Sequence, residues 1–221
     1  MRRPTWTFLT NHPVVLIYIV QHPESTVRAI AQGVGLTERA TLAILRDLDE
    51  ERVIERHRAG RRNTYVVRYE RLVGMSAQTR AMNVAATVVV SALIDISPGG
   101  ATATRRQHAP TAEDCEPRVS TWAFFTNHMQ MLGAVARDST MTVRDLAMET
   151  KITERAAVQI LNQLEAESII VRHREGRRNS YTIEVEEFRK FRGWRYDGWS
   201  MPQQLVDVAV NGIRALGRAS S

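Results

Sequence analysis

Cysteine is almost absent: Cys115 is the only one among 221 residues. A lone thiol closes no disulfide within the chain and builds no cysteine-rich zinc module, and its scarcity fits a reducing cytoplasm. Asp114 and Glu116 flank it, and their charge would raise its pKa, so it makes a poor redox sensor. Long apolar runs are missing too. The longest nearly apolar stretch, Val84 to Ile94, falls far short of the ~20 residues a bilayer-spanning helix needs. Met1-Arg2-Arg3-Pro4 carries charge but is followed by no apolar stretch with a cleavage site, so no signal peptide and no membrane span are expected. Lysine is scarce: of 30 basic residues only Lys151 and Lys190 are lysines. No glycine-rich phosphate loop, nucleophile elbow or paired catalytic carboxylates occur, so no enzyme is expected. No His-x-x-x-His or cysteine pair occurs, and no metal or cofactor is expected.

What is present is an ordinary globular balance, 43% hydrophobic and 24% charged. That is enough to fill the cores of two small domains of ~70 residues. The formal net charge is +6, and a basic chain favours polyanionic partners. Arginine richness alone says less, because a GC-rich genome produces it as well.

The chain repeats itself. Residues 5–67 and 121–183 align without a gap at an offset of 116, with 28 of 63 positions identical. Thr10-Asn11-His12 returns as Thr126-Asn127-His128. Thr37-Glu38-Arg39-Ala40 returns as Thr153-Glu154-Arg155-Ala156. Gly60-Arg61-Arg62-Asn63 returns as Gly176-Arg177-Arg178-Asn179. This is a tandem duplication. It divides the chain into a first domain over 1–72, an accessory packing helix within 73–97, a flexible Pro- and Gly-bearing linker over 98–119, a second domain over 120–187, and a basic aromatic segment with a last helix over 188–221.

Within one repeat, Asn11 reads as a helix cap before His12-Pro13, and Val14 to Val20 make the first helix. Thr26 caps a short second helix, Val27 to Gln32; in the second repeat Thr142 and Asp145 form a capping-box pattern. Gly33-Val34-Gly35 reads as a tight turn. Thr37 caps a third helix running to about Glu51, with Ile44, Leu45 and Leu48 facing inward. Val53 to Arg58 and Thr64 to Arg68 read as a hairpin. The predicted class is mainly α with small β-hairpin wings, an α+β arrangement of two tandem winged helix-turn-helix domains, each followed by an extra helix.

This order of elements, with the motifs at 10–12, 37–40 and 60–63 and their copies, resembles the MarR-type winged-helix transcriptional regulators of bacteria. The resemblance covers about 126 residues. Such regulators carry one domain per chain and dimerise, so two domains in one chain is a departure. The resemblance implies that the third helix enters the major groove of DNA and the wing touches an adjacent groove or the backbone.

The residues fit that role in part. The outward face of the first repeat's third helix carries Glu38, Arg39, Leu42, Ala43 and Arg46; the second carries Glu154, Arg155, Val158, Gln159 and Asn162. Arginine can grip guanine, and Gln or Asn can grip adenine. Thr37 and Thr153 stand at helix N-termini, where backbone amides favour phosphate. Arg58, Arg61, Arg62 and Asn63 surround one hairpin tip, and Arg174, Arg177, Arg178 and Asn179 the other, where they can neutralise phosphates or enter a narrow minor groove; the plain alternative is a solvated turn. The repeats themselves are near neutral: residues 5–72 carry a net of +2 and residues 121–188 a net of −2.

Elsewhere, Arg189, Lys190, Arg192 and Arg195 interleave with Phe191, Trp194, Tyr196 and Trp199. The reading favoured is aromatic packing with arginines in solvent, over a backbone strap or single-strand stacking surface. Trp6, Trp122, Phe8 and Phe124 are expected core anchors. The repeat pairs His12/His128 and His57/His173 are expected to serve a structural role shared by both repeats, such as a hydrogen bond to the backbone, rather than to hold a metal. The leading expectation is a sequence-specific, double-stranded DNA-binding regulator in the cytoplasm, associated with the nucleoid. DNA half-sites lie ~34 Å apart per turn, and a linker of this length spans ~25 Å on average with a longer reach. Helices 75–97 and 202–216 would pack the domains together or pair two chains as a homodimer. The alternative is a non-catalytic winged-helix interaction subunit of a chromosome or transcription complex.

Overall fold

A computed structural model describes residues 6–59, 62–69, 71–72, 123–176, 178–196 and 198–218. The expected accessory helix, the linker, Cys115, Trp122, Arg61 and Arg177 lie outside the described residues. Among those described, the chain is mainly helical, with eight α-helices and two antiparallel two-stranded hairpins, an α+β composition. None of these helices is long and apolar enough to cross a membrane. The contacts divide the chain into two units, each assembled from separated stretches of sequence.

One unit holds the first repeat: α1 (Asn11–Gln21), α2 (Val27–Val34), α3 (Glu38–Glu50), β1 (Ile54–Ala59) and β2 (Arg62–Val67), joined by residues 195–205. α1 buries Pro13 through Ile17 together with Ile19 and Val20. Its cap is Thr10, not the expected Asn11, which is exposed inside the first turn. Thr10 makes no side-chain cap bond; its hydroxyl donates to the Ala123 carbonyl. α2 is two residues longer than expected. Gly33 and Val34 are buried helical positions, and Gly35 alone takes the left-handed conformation, at φ 72°. α3 is capped by Thr37 Oγ1, which accepts from the Ala40 amide at 3.2 Å, and buries Thr41, Ile44, Leu45 and Leu48. The hairpin pairs Ile54 with Val67 through Ala59 with Arg62. Its strands reach closer to the tip than the apolar pattern predicts, because backbone pairing needs no apolar side chain.

The other unit holds the second repeat: α4 (Asn127–Arg137), α5 (Val143–Glu149), α6 (Glu154–Ala166), β3 (Ile170–Glu175), β4 (Arg178–Ile183) and α7 (Val185–Lys190), followed by a 3-10 turn at Arg192–Trp194. The capping box predicted at Thr142 and Asp145 forms at α5. The last helix, α8, runs Gln203–Arg218, slightly later than expected, and its residues from Val206 onward belong here. So do residues 6–9. Leu9 bridges Phe125 antiparallel, and Thr126 Oγ1 donates to the Thr7 carbonyl at 2.6 Å. Phe8 is buried among Phe188, Phe191 and Trp194, with ring centroids 4.8, 5.0 and 5.3 Å away. Burying such a ring is worth ~1.5–3 kcal/mol. Trp194 Nε1 donates to the Phe188 carbonyl at 2.9 Å, so its polar edge is satisfied inside the cluster. The aromatics at 188–194 are therefore packed, while Arg192 stays exposed and Arg189 meets Asp207 at 3.5 Å. Trp6 is only half-buried.

Candidate nucleic-acid interface

Each third helix has two faces, set by the same residues in register. In α3, Thr41, Ile44, Leu45 and Leu48 are buried; in α6, Ala157, Ile160, Leu161 and Leu164 are. A helix that spends one stripe on the core leaves the opposite stripe to solvent. On α3 that stripe is Glu38, Arg39, Leu42, Ala43 and Arg46, all exposed; on α6 it is Glu154, Arg155, Val158, Gln159 and Asn162, all exposed. The stripe spans two helical turns. Thr37 and Thr153 stand exposed at its start, where their oxygens cap the helix.

A fastening behind each helix fixes where that stripe points. His12 Nε2 donates to Asp47 Oδ2 at 3.0 Å, tying α1 to α3. His128 Nε2 donates to Gln163 Oε1 at 2.8 Å, tying α4 to α6. Both partners are side chains on the third helix, so the two histidines share one structural role in the two repeats. His128 also stacks on Trp6, centroids 4.2 Å apart and rings within 4° of parallel. Burial lowers its pKa below the usual histidine value, partly offset by the Gln163 bond.

The hairpins follow directly. Both connect their strands through two residues, 60–61 and 176–177. Gly176 takes φ 63°, a conformation that favours glycine. Asn63 and Asn179 are half-buried, and Arg174 is exposed with its Nε 3.5 Å from the Gly176 carbonyl. Arg58, Arg62 and Arg178 lie within strands, at the pairs nearest the tips; their side chains are outside the description. In mid-strand, Tyr65 and Tyr181 are buried. Burial raises the Tyr65 phenol above its usual pKa. Arg68, just past the end of β2, bonds Glu55 on β1 and holds that carboxyl below the usual range.

One functional candidate escaped the sequence reading. Arg172, on β3, donates to Asn162 Oδ1 at 3.0 Å and approaches Glu165 Oε2 at 3.4 Å. Its guanidinium lies 5.9 Å from the Tyr181 ring centroid. This joins β3 to the outward face of α6. Its counterpart Arg56 is exposed. Recurrence of Arg56 as Arg172 was a usable signal, but the pairing with positions 162 and 165 depends on tertiary placement. His57 and His173 are exposed on the strands and meet Glu55 and Thr182. Among the described residues no group of three or more His, Cys, Asp or Glu is placed to hold a metal ion. No protein-family model, curated protein or solved structure matches this chain.

Proposed function

We propose that the chain is a non-catalytic, sequence-specific regulator of transcription that binds double-stranded DNA through two tandem winged helix-turn-helix domains of MarR-like type. It would act in the cytoplasm, on the nucleoid. α3 and α6 enter major grooves, and the arginine-tipped hairpins rest on backbone or minor groove. The observation that carries the reading is the duplicated third helix: one face buried, the other bare and led by Arg39 or Arg155. A stripe two turns long suits a major groove, which admits one α-helix. Phosphate contact from the wings holds that helix in register.

The test is a duplex titration at several salt concentrations. Arg61→Ala with Arg62→Ala, combined with Arg177→Ala and Arg178→Ala, weakens binding and flattens the salt dependence by ~0.9 per phosphate contact removed. Unchanged affinity and slope sink the wing assignment. A second reading, a protein-interaction subunit, is favoured by exposed Leu42, Met148 and Val158 on near-neutral repeats. Partner capture that survives nuclease treatment, with no retention of duplex, selects it.

A further inference from the structure

The two outward stripes share a frame and differ in their reading groups. Both begin Glu-Arg, and one turn on both carry an exposed apolar residue, Leu42 at 44% and Val158 at 40%. A single exposed leucine is ordinary. An apolar side chain at the same register of both copies, standing outside each buried stripe, serves neither core. Beyond it the copies diverge: Ala43 and Arg46 of the first repeat are replaced by Gln159 and Asn162 in the second. The neighbouring strand arginine diverges too. Arg172 is spent on Asn162 and Glu165. No hydrogen bond or ion pair among the described residues holds Arg39, Arg46 or Arg56. Because the Asn162 carbonyl is already occupied, Gln159 is the open amide of α6.

Resting on the duplex reading above, we infer that one chain reads a site of two unlike halves. α3 takes a guanine-bearing half through Arg46, and α6 an adenine-bearing half through Gln159. In each half a thymine methyl meets Leu42 or Val158. The chemistry follows the groove edges: a guanidinium fork matches guanine O6 and N7, a carboxamide matches adenine N6 and N7, and the thymine methyl is the apolar feature of the major groove. Free cations beside α3 also give the first half the larger share of phosphate attraction, since Arg172 is already neutralised beside α6.

The experiment selects duplexes from a randomised pool with the full chain, then titrates the selected sites. The expected consensus is non-palindromic. Gln159→Ala erases an adenine preference in one half only, and Arg46→Ala a guanine preference in the other, each by about 5-fold to 150-fold. Arg46→Gln replaces the fork by a carboxamide, so it moves that half's preference from guanine toward adenine, a gain that loss of folding cannot produce. Replacing the contacted thymine by uracil removes only the methyl and weakens binding about fourfold. A palindromic consensus, variants that act equally on both halves, or indifference to uracil overturns the inference while leaving duplex binding intact. Retention of no duplex at all overturns both this inference and the function it rests on.

Discussion

Tyr18 and Gly33 in one unit occupy the places that Ala134 and Glu149 take in the other. The Tyr18 ring lies so close over Gly33 that a Cβ there would overlap it. In the second copy the large residue has moved to the other helix: Ala134 is small, and Glu149 pairs with Arg137 at 2.7 Å. The counterpart of Arg137 is Gln21, which accepts from Trp199 Nε1 at 2.8 Å, while Trp199 packs against Tyr18. The difference teaches that the duplication kept its apolar frame, as at Leu48 and Leu164, and exchanged polar and bulky fastenings in linked sets. Residues that touch must change together, because interiors tolerate neither gaps nor overlaps.

The sharpest way to break the comparison is Phe8→Ala. Phe8 belongs to the first repeat by sequence and to the second-repeat unit by packing. The expected cost is ~3–5 kcal/mol, read by denaturant unfolding, with hydrogen-exchange protection lost first at Leu161 and Leu164. Loss confined to α1–α3 amides would mean that Phe8 supports the first-repeat unit instead. Leu48→Ala and Leu164→Ala sharpen the shared part: each is fully buried, and each should cost ~2–5 kcal/mol. Gly33→Ala comes next. Overpacking against Tyr18 costs about 1–3 kcal/mol, set against a helix-propensity gain of ~1 kcal/mol. Adding Tyr18→Ala should give a double variant that loses less than the two singles combined. Additive losses would mean the ring does not bear on Gly33. Glu149→Ala, which breaks a partly exposed ion pair, should cost no more than ~1 kcal/mol.

Much of the frame was legible because it is written locally. The apolar stripe at 44, 45 and 48, the caps at Thr26 and Thr37, and the box at Thr142 and Asp145 are short-range patterns, and each forms. The tight turn read at Gly33-Val34-Gly35 was too long by two residues. Only Gly35 takes positive φ, whereas Gly33 is a helical position kept bare for Tyr18. The fastenings behind the third helix were not legible. His12 with Asp47 and His128 with Gln163 are each 35 residues apart, and nothing in a local pattern names such partners. The outward face was recoverable as the complement of the buried stripe. The Arg172 contact was not, because an arginine in a wing reads equally as a free cation.

A smaller effect separates the second helices. Thr142→Ala and Thr26→Ala each remove an N-cap, at ~0.5–2 kcal/mol. Asp145→Ala should destabilise further only in the second copy, where its carboxylate accepts from the Thr142 amide at 3.2 Å. Its counterpart Ala29 has no such group. Equal sensitivity at positions 29 and 145, measured by unfolding midpoints of Ala29→Gly and Asp145→Gly, would erase that distinction.

The smallest expected effect is one of pH. Burial lowers the His128 pKa, with the Gln163 bond opposing. The folded state therefore favours the neutral ring, while the unfolded chain takes up a proton near pH ~6.5. A depressed folded pKa contributes stability that is present above the unfolded value and lost as pH falls through it toward the folded one. The second-repeat unit should thus weaken as pH falls through about 6.5, read by denaturant midpoints, and His128→Gln should remove that part of the slope. Gln163→Asp, which installs the first copy's carboxylate, should do so as well: an anion beside the ring stabilises its charged form and narrows the gap between folded and unfolded pKa. A slope unchanged in both variants would mean that some other group carries the acid sensitivity, and that amide and carboxylate behind the two third helices are interchangeable fastenings.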